Sequence, residues 1–399
     1  MTWPKVKLGD VCEINPRFTA TLNKNDNVSF VPMSAVSEIT GSVLEEQIIC
    51  LSEVKNGLTP FSKEDILFAK ITPCFENGKI AQANIRCNYG FGSTEFHVIR
   101  PNERADGHYL LHLLRTPIIR EEGAKQMTGS AGQRRVPKHY LQNLEIPLPP
   151  IAEQKRLASI LDRADALRQQ RRDTQRVLDE LAQSLFLELF GDPATNPKGW
   201  EVGTIKSIST SINYGTSQKS SDNGEIPYLR MNNITYSGDW NFSNLKYITL
   251  SEKDKEKFTV KAGNILFNRT NSAELVGKTG LYRLAEPMAF AGYLIRVRID
   301  KENHPEYVAS FMNLPYTKQQ LRGICKSIIG MANINAQELG AMKIPLPPLA
   351  LQQEFAAQIE ELEAIKRRAR ESSTRLDALF AGLQARAFAG ELSDKEPRA

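Results

Sequence analysis

The stretch Ile146-Pro147-Leu148-Pro149-Pro150-Ile151-Ala152-Glu153-Gln154-Lys155-Arg156 opens a segment that holds no further glycine or proline until Gly191. Within it, apolar residues return at Leu157, Ala164, Leu167, Leu178, Leu181 and Leu185. The steps are mostly threes and fours, which lay a narrow apolar stripe along a helix, the seam of a coiled coil. Gly191-Asp192-Pro193 is a strong helix stop. At 1.5 Å per residue, a helix from Ile151 to Phe190 is on the order of 60 Å long. A stripe of that length cannot face water and needs an equally long partner.

The partner lies in the same chain. Ile344-Pro345-Leu346-Pro347-Pro348 repeats the opening pentapeptide, and a second helix is expected from Leu349 to about Ala389. In register, Leu157 corresponds to Phe355, Ala164 to Leu362 and Leu167 to Ile365, while Leu178, Leu181 and Leu185 correspond to Leu376, Leu379 and Leu383. Weak middle layers also match, Arg171 and Thr174 against Ala369 and Ser372. Solenoid units repeat every 20 to 50 residues or so, far below this spacing. The chain is a duplicated domain followed each time by an arm.

A length of 399 residues allows two to four domains with their own cores. Ordinary apolar and charged fractions indicate a folded protein. No apolar run suits a membrane span, and Met1-Thr2-Trp3-Pro4-Lys5 lacks a signal peptide's apolar stretch, so a cytoplasmic location is expected. Cys12, Cys50, Cys74, Cys87 and Cys325 are scattered and odd in number, which fits free thiols better than disulfides or zinc. A net charge of +5 permits nucleic acid as a partner without demanding it.

Residues 1–145 read as a mixed α/β domain, with strand-like runs at Val28 to Val31, Ile66 to Ile71 and Phe96 to Ile99 and a helix at Gly107 to Leu114. Met127 to Pro137 is small, polar and basic, a loop. Residues 193–343 replay this order. Ile265-Leu266-Phe267 repeats Ile66-Leu67-Phe68, Gly277-Lys278 repeats Gly78-Lys79, Tyr307 to Leu314 matches the helix near Tyr109, and Ile328 to Ile334 matches Ala131 to Val136. Shared framework strands with different loops suggest one task performed on two different targets.

The order domain, Ile-Pro-Leu-Pro-Pro-Ile-Ala-Glu-Gln-Lys-Arg (146–156), arm, domain, Ile-Pro-Leu-Pro-Pro, arm resembles the specificity subunit of a type I restriction–modification enzyme. Gly9-Asp10-Val11 and Asp65-Ile66-Leu67-Phe68 resemble that family as well. The second copy departs from it after Ala350, reading Leu351-Gln352-Gln353-Glu354. The resemblance implies an α+β architecture of two similar mixed α/β target-recognition domains (1–145 and 193–343). Two long helical arms (146–192 and 344–399) would join them as an antiparallel coiled coil. It also implies double-stranded DNA as ligand, each domain reading half of a split site. Two methyltransferase subunits would dock on the arms, and restriction or motor subunits would join through the complex. S-adenosylmethionine, ATP and Mg would belong to those partners, with no cofactor, metal or catalytic residue in this chain. A partner that fuses methylase and nuclease is an alternative within this class, and a coiled-coil scaffold without DNA is the reading outside it.

A search for catalytic motifs agrees. Asn15-Pro16-Arg17-Phe18 resembles the tetrad with which adenine methyltransferases hold a flipped base, but Arg17 replaces a proline and no glycine-rich cofactor turn accompanies it. Gly277-Lys278-Thr279 ends like a P-loop, yet the required first glycine is Ser272, so a turn is the better reading. Glu53-Val54-Lys55 has the Glu-x-Lys of some nucleases without the preceding Pro-Asp. His108 and His112 would lie one turn apart on a helix with no third zinc ligand in view.

Direct readout of bases favours Arg or Lys for guanine and Asn or Gln for adenine. The first domain offers Lys70, Lys79, Gln133, Arg134 and Arg135, and the second Arg230, Asn232, Asn233, Arg269, Asn271 and Lys278. Arg134 and Arg135, in a loop of small residues, are the leading candidates. Along the first arm, Arg168, Arg171, Arg172 and Arg176 are balanced by Asp162, Asp165, Asp173 and Asp179, either a solvated flank of i, i+4 pairs or a partner face.

Overall fold

A computed structural model describes residues 3–130, 132–271, 276–324, 326–328 and 331–392, with the backbone alone at 271, 326–328, 331 and 332. Helices α1 (Gly107–Leu114), α2 (Pro117–Lys125), α3 (Lys138–Asn143) and α4 (Ile151–Phe190) serve the first half of the chain. The second half has α5 (Glu252–Phe258), α6 (Pro305–Asn313), α7 (Pro315–Ile324), α8 (Ala336–Gly340) and α9 (Leu349–Ala389). Two compact units result, Met1–Asp173 with Glu371–Ala399, and Thr174–Arg370. Each long helix is divided between them, so the arms are parts of the units and not separate bodies.

The first unit is built on an antiparallel sheet ordered Cys12–Ile14, Phe96–Pro101, Ile66–Ala69, Ile80–Gln82. A second sheet runs Gln47–Cys50, Asn27–Val31, Tyr89–Gly92, Thr59–Ser62, with its central pair parallel. The second unit repeats both orders. Its sheets are Ser209–Tyr214, Leu294–Ile299, Ile265–Asn268, Thr279–Leu281 and Lys246–Ile248, Ile226–Leu229, Met288–Phe290, Thr259–Val260. The strand Ile66–Ala69 is buried along its whole length, as a central strand covered on both faces must be. A short ribbon joins the start of each unit to its proline-rich junction, Lys5–Lys7 with Glu145–Pro147 and Glu201–Thr204 with Lys343–Leu346.

The junctions explain themselves chemically. Prolines supply carbonyls but no N–H, so Pro149 and Pro347 leave acceptors at the entry to α4 and α9. Gln154 and Gln352, both fully buried, donate to them at 2.8 Å and accept from the backbone N–H of Asp106 (2.8 Å) and His304 (2.7 Å). Tyr109 and Tyr307 donate to the carbonyls of Pro147 and Pro345 at 2.8 Å. The far helix ends are fixed alike. Trp3 donates to the Ala387 carbonyl of α9, and Trp200 to the Phe190 carbonyl of α4, each at 2.9 Å. Gly191 and Gly390 follow these ends with φ of 83° and 80°, the left-handed stop that glycine allows.

In each unit the two helix segments run antiparallel. Leu157, Leu161, Phe380 and Ala387 share the first unit's core, and Phe186, Phe190, Phe355, Ile359 and Leu362 the second's. Ala164, Leu178, Leu185 and Leu383 pack at the margin, and Leu376 is half-buried. The expected seam needs correction at four places. Leu167, Leu181, Ile365 and Leu379 are 52, 43, 51 and 57% exposed. The seam passes instead through Arg168 and Lys366, one residue further on. Arg168 lies over the Phe380 ring at 4.3 Å and pairs with Asp165 and Asp377, and Lys366 pairs with Asp179 at 2.9 Å. Their apolar stems fill the interface while their charged heads reach carboxylates, a role invisible to an apolar pattern. On α4, Arg168 and Arg172 thus reach Asp377 of α9, while Arg168 also holds Asp165 on its own helix.

Candidate nucleic-acid interface

In the first unit, the chain leaves the buried strand Ile66–Ala69 as Lys70-Ile71-Thr72, and the loop after α2 comes alongside it. Ile71 and Thr128 both bridge Arg135, Thr72 N–H donates to the Arg134 carbonyl at 2.9 Å, and Val136 N–H to the Lys70 carbonyl at 2.8 Å. This backbone stitching gathers Lys70, Gln133, Arg134 and Arg135 at one sheet edge. The guanidinium of Arg135 grips Glu95 with two bonds of 2.9 and 2.7 Å. That fork holds the Glu95 carboxyl below the usual range despite partial burial. Among the described residues Arg134 makes one side-chain contact, 3.2 Å to Glu76, and Gln133 is exposed, so these two retain donors not used there. Lys79 belongs to the framework. Its ammonium donates to the carbonyls of Met33 (3.2 Å) and Val36 (3.1 Å) and stands 3.9 Å from Glu38.

The second unit builds the corresponding edge differently. After Ile265–Asn268 and Arg269, Thr270–Asn271 pairs with Met331–Asn333, which itself pairs with Lys326–Ile328. Arg269 lies over the Tyr214 ring at 4.9 Å, with its Nε buried and without a partner among the described residues. Among the described residues, Asn333 Oδ1 and both amide atoms of the fully buried Asn268 also find no partner. An unpaired buried amide costs on the order of 1–3 kcal/mol, so this edge holds unfulfilled hydrogen-bonding capacity. Asn271 is described only through its backbone. Lys278 sits on the adjoining strand turn, where burial pushes its ammonium down. Arg230 donates to the Asn244 carbonyl at 2.8 Å, and Asn232 is exposed beside it. Asn233 is framework: buried, it accepts from Arg230 N–H and donates to the Asn241 carbonyl.

Asn268, Asn333, Tyr214 and Glu95 were not among the sequence candidates. The repeat register carries the signal for one of them, because Asn333-Ile334 stands where Arg135-Val136 stands in the first unit.

The motifs with catalytic overtones serve the framework. Asn15, at φ 53°, ties a turn to His97 (3.1 Å) and to Val98 N–H (2.9 Å), and Phe18 packs against Tyr89 and Phe91. Gly78 and Gly277 are left-handed turns at φ 81° and 82°, as the turn reading requires; Ser272 lies outside the described residues. Glu53 accepts from Cys50 N–H, closing a short turn. His108 and His112 converge on Asp162 at 3.3 and 2.7 Å, joining α1 to α4. Among the described residues no three His, Cys, Asp or Glu side chains gather as a metal site, and no helix is long and apolar enough to cross a membrane. Cys12, Cys50, Cys74 and Cys87 are free, and Cys325 lies outside the described residues.

Two copies of one α/β frame, carried on shared helices and differing at the same sheet edge, define a duplicated recognition module. The chain matches the type I restriction modification DNA specificity domain over residues 1–175 and 197–372, and it belongs to that family. It is 36% identical over 190 residues to the type I restriction enzyme EcoAI specificity subunit of Escherichia coli, covering 46% of this chain and 32% of that one. The matched part thus spans about a third of that relative's length. To the EcoKI specificity subunit of E. coli strain K12 it is 25% identical over 339 residues, 79% of this chain and 72% of the other. Two solved structures share the fold. One, from work on complex assembly and conformational transition of the type I R-M system, has a TM-score of 0.55 at 22% identity and 98% coverage of both chains. The other is a type I restriction–modification S subunit from M. genitalium, with a TM-score of 0.56 at 13% identity, covering 97% of this chain and 96% of that one.

Proposed function

We propose that this chain reads a two-part DNA sequence, one half with each α/β unit, and presents it to catalytic subunits docked on its helices. One observation carries the reading. On a common frame, the same sheet edge offers Lys70, Gln133 and a carboxylate-braced Arg134–Arg135 pair in one unit. In the other it offers Arg269, Asn333 and Tyr214. A common frame with different side chains at the same place suits two different ligands, and these side chains are donors and acceptors suited to base edges. Phosphate contacts would add affinity without sequence information.

Docking is supported by the four apolar residues outside the seam. Leu167 and Leu379 lie in the first unit, Ile365 and Leu181 in the second, and the repeat maps one pair onto the other. Exposed apolar groups duplicated this way suit two copies of one partner. In this reading the partners are two methyltransferase subunits carrying S-adenosylmethionine. Restriction subunits with ATP and Mg join the same cytoplasmic complex, and this chain performs no chemistry itself. Sequencing of methylated adenines from cells carrying the chain and its methyltransferase should reveal one bipartite site interrupted by unread base pairs. An uninterrupted site, or the same methylation without the chain, would refute the proposal.

A further inference from the structure

The second unit has a groove of about 460 Å3 between α7, the loop carrying Tyr236 to Asp239, and the segments of α4 and α9 that belong to this unit. Its lining is charged, and its acids are largely neutralised from within. Asp179 and Glu363 pair with Lys366 at 2.9 and 3.3 Å, Glu306 with Arg283 at 2.7 Å, and Asp239 with Arg370 at 2.7 Å. Glu180 and Arg176 stand exposed on α4. Apart from the exposed Arg176, two lining cations have no carboxylate among the described residues. Lys318, 5% exposed, donates to the Gly277 carbonyl and sits 5.3 Å from the Tyr236 ring centre, and Arg322 donates to the Tyr236 hydroxyl at 3.0 Å. Lys278 adds a third charge close by.

The first unit shows what is missing. Its corresponding loop starts with Ser37-Glu38, where the second unit has Thr235-Tyr236. Lys79 there stands 3.9 Å from Glu38, which also accepts from Asn77. The position equivalent to Lys318 is Arg120, lying against Gly78 as Lys318 lies against Gly277. The position equivalent to Arg322 is Ala124. One unit therefore carries its own carboxylate at this place. The other has a phenol and a further cation there, beside the groove.

We propose that Lys318 and Arg322, with Lys278 nearby, bind a phosphate group supplied from outside the chain, in the place that Glu38 fills in the first unit. Burial and its two cationic neighbours push the Lys318 ammonium down to about 7, so the folded protein gains by acquiring an anion there. Arg supplies a planar fork for phosphate oxygens, Lys a point charge, and the hydroxyl of Tyr236 a further hydrogen-bonding group. The phosphate could come from free phosphate compounds or from a DNA backbone.

The test uses the full chain, titrated with inorganic phosphate against chloride at matched ionic strength, with calorimetry and thermal unfolding as readouts. Wild type should show saturable binding and a rising Tm. Lys318→Met and Arg322→Gln should each bind phosphate at least about tenfold more weakly, as loss of a charge-assisted bond requires. Tyr236→Glu restores the first unit's carboxylate. It should raise Tm without phosphate and abolish the phosphate response, which keeps the test decisive if Lys318→Met does not fold. A second arm measures random-sequence duplex binding across salt concentrations. If DNA is the source, Lys318→Met reduces the salt slope by about one; if free phosphate is the source, the slope stays unchanged. Equal phosphate responses in wild type and Lys318→Met would overturn the proposal. So would the absence of any saturable response in wild type together with an unchanged DNA salt slope.

Discussion

The two units treat their helix junctions identically and their sheet edges differently. Gln154 and Gln352 close the same backbone bonds, and Tyr109 and Tyr307 reach the same proline carbonyl. At the edge, Arg135 gripping Glu95 gives way to Asn333, whose Oδ1 meets no donor among the described residues. The contrast teaches where each sequence is free. A buried junction has backbone groups to satisfy, and few side chains meet that geometry. An edge that meets a ligand answers to the ligand, so a duplicated chain diverges there first.

The largest expected effect tests the corrected seam. Phe355→Ala should cost about 3–5 kcal/mol of unfolding free energy, because Phe186 and Phe190 pack on it. Leu167→Ala should stay within roughly 0.5 kcal/mol, as for an exposed position, while weakening methyltransferase docking. Urea unfolding and pull-down of the partner read these separately, and comparable destabilisation by both would restore the seam first expected. Next come Gln154→Leu and Gln352→Leu. Each should lose about 1–3 kcal/mol per buried backbone group left unpaired, and closely matched losses are required if the junctions are equivalent. Arg134→Ala in one unit and Arg269→Ala in the other should each weaken DNA binding by about 1–3 kcal/mol per lost base contact. Competition with sites altered in one half would reveal whether each loss stays in its own half.

The smallest effect separates the units by pH. Burial opposes ionisation of Asp162, but its bonds to His112 and His108 outweigh it and hold the carboxyl below the ordinary range. A lowered folded-state value means that the unfolded chain takes the proton first. Stability from this group is therefore present above about pH 4 and lost as pH falls through the folded value. Its counterpart Glu360 is exposed. Asp162→Asn should flatten the acid limb of an unfolding curve.

Much of this was legible in the sequence, for identifiable reasons. Prolines at 147, 149 and 150 and Gly191 punctuate α4 strongly, so its bounds of Ile151 and Phe190 could be read directly. The antiparallel arms and repeated α/β frame followed from the family resemblance and the echo of Ile66-Leu67-Phe68 in Ile265-Leu266-Phe267. The seam was misread by one residue because Arg168 and Lys366 occupy core positions through their stems, and neighbouring Leu167 and Ile365 satisfied the apolar pattern instead. Lys79 and Asn233 have the chemistry of base readers, but their partners, the carbonyls of Met33, Val36 and Asn241, are set by tertiary contacts that no local pattern announces. Asn268 was missed because strand interiors are ordinarily apolar and its equivalent is Ala69.

The central claim is that two equivalent units read two different half-sites. Replacing residues 199–343 with the corresponding domain of a relative of different specificity, and then sequencing methylated adenines in the assembled complex, tests it most directly. The account predicts a new sequence in one half of the site and the original sequence in the other. A change in both halves, or in neither, from an active complex would contradict it.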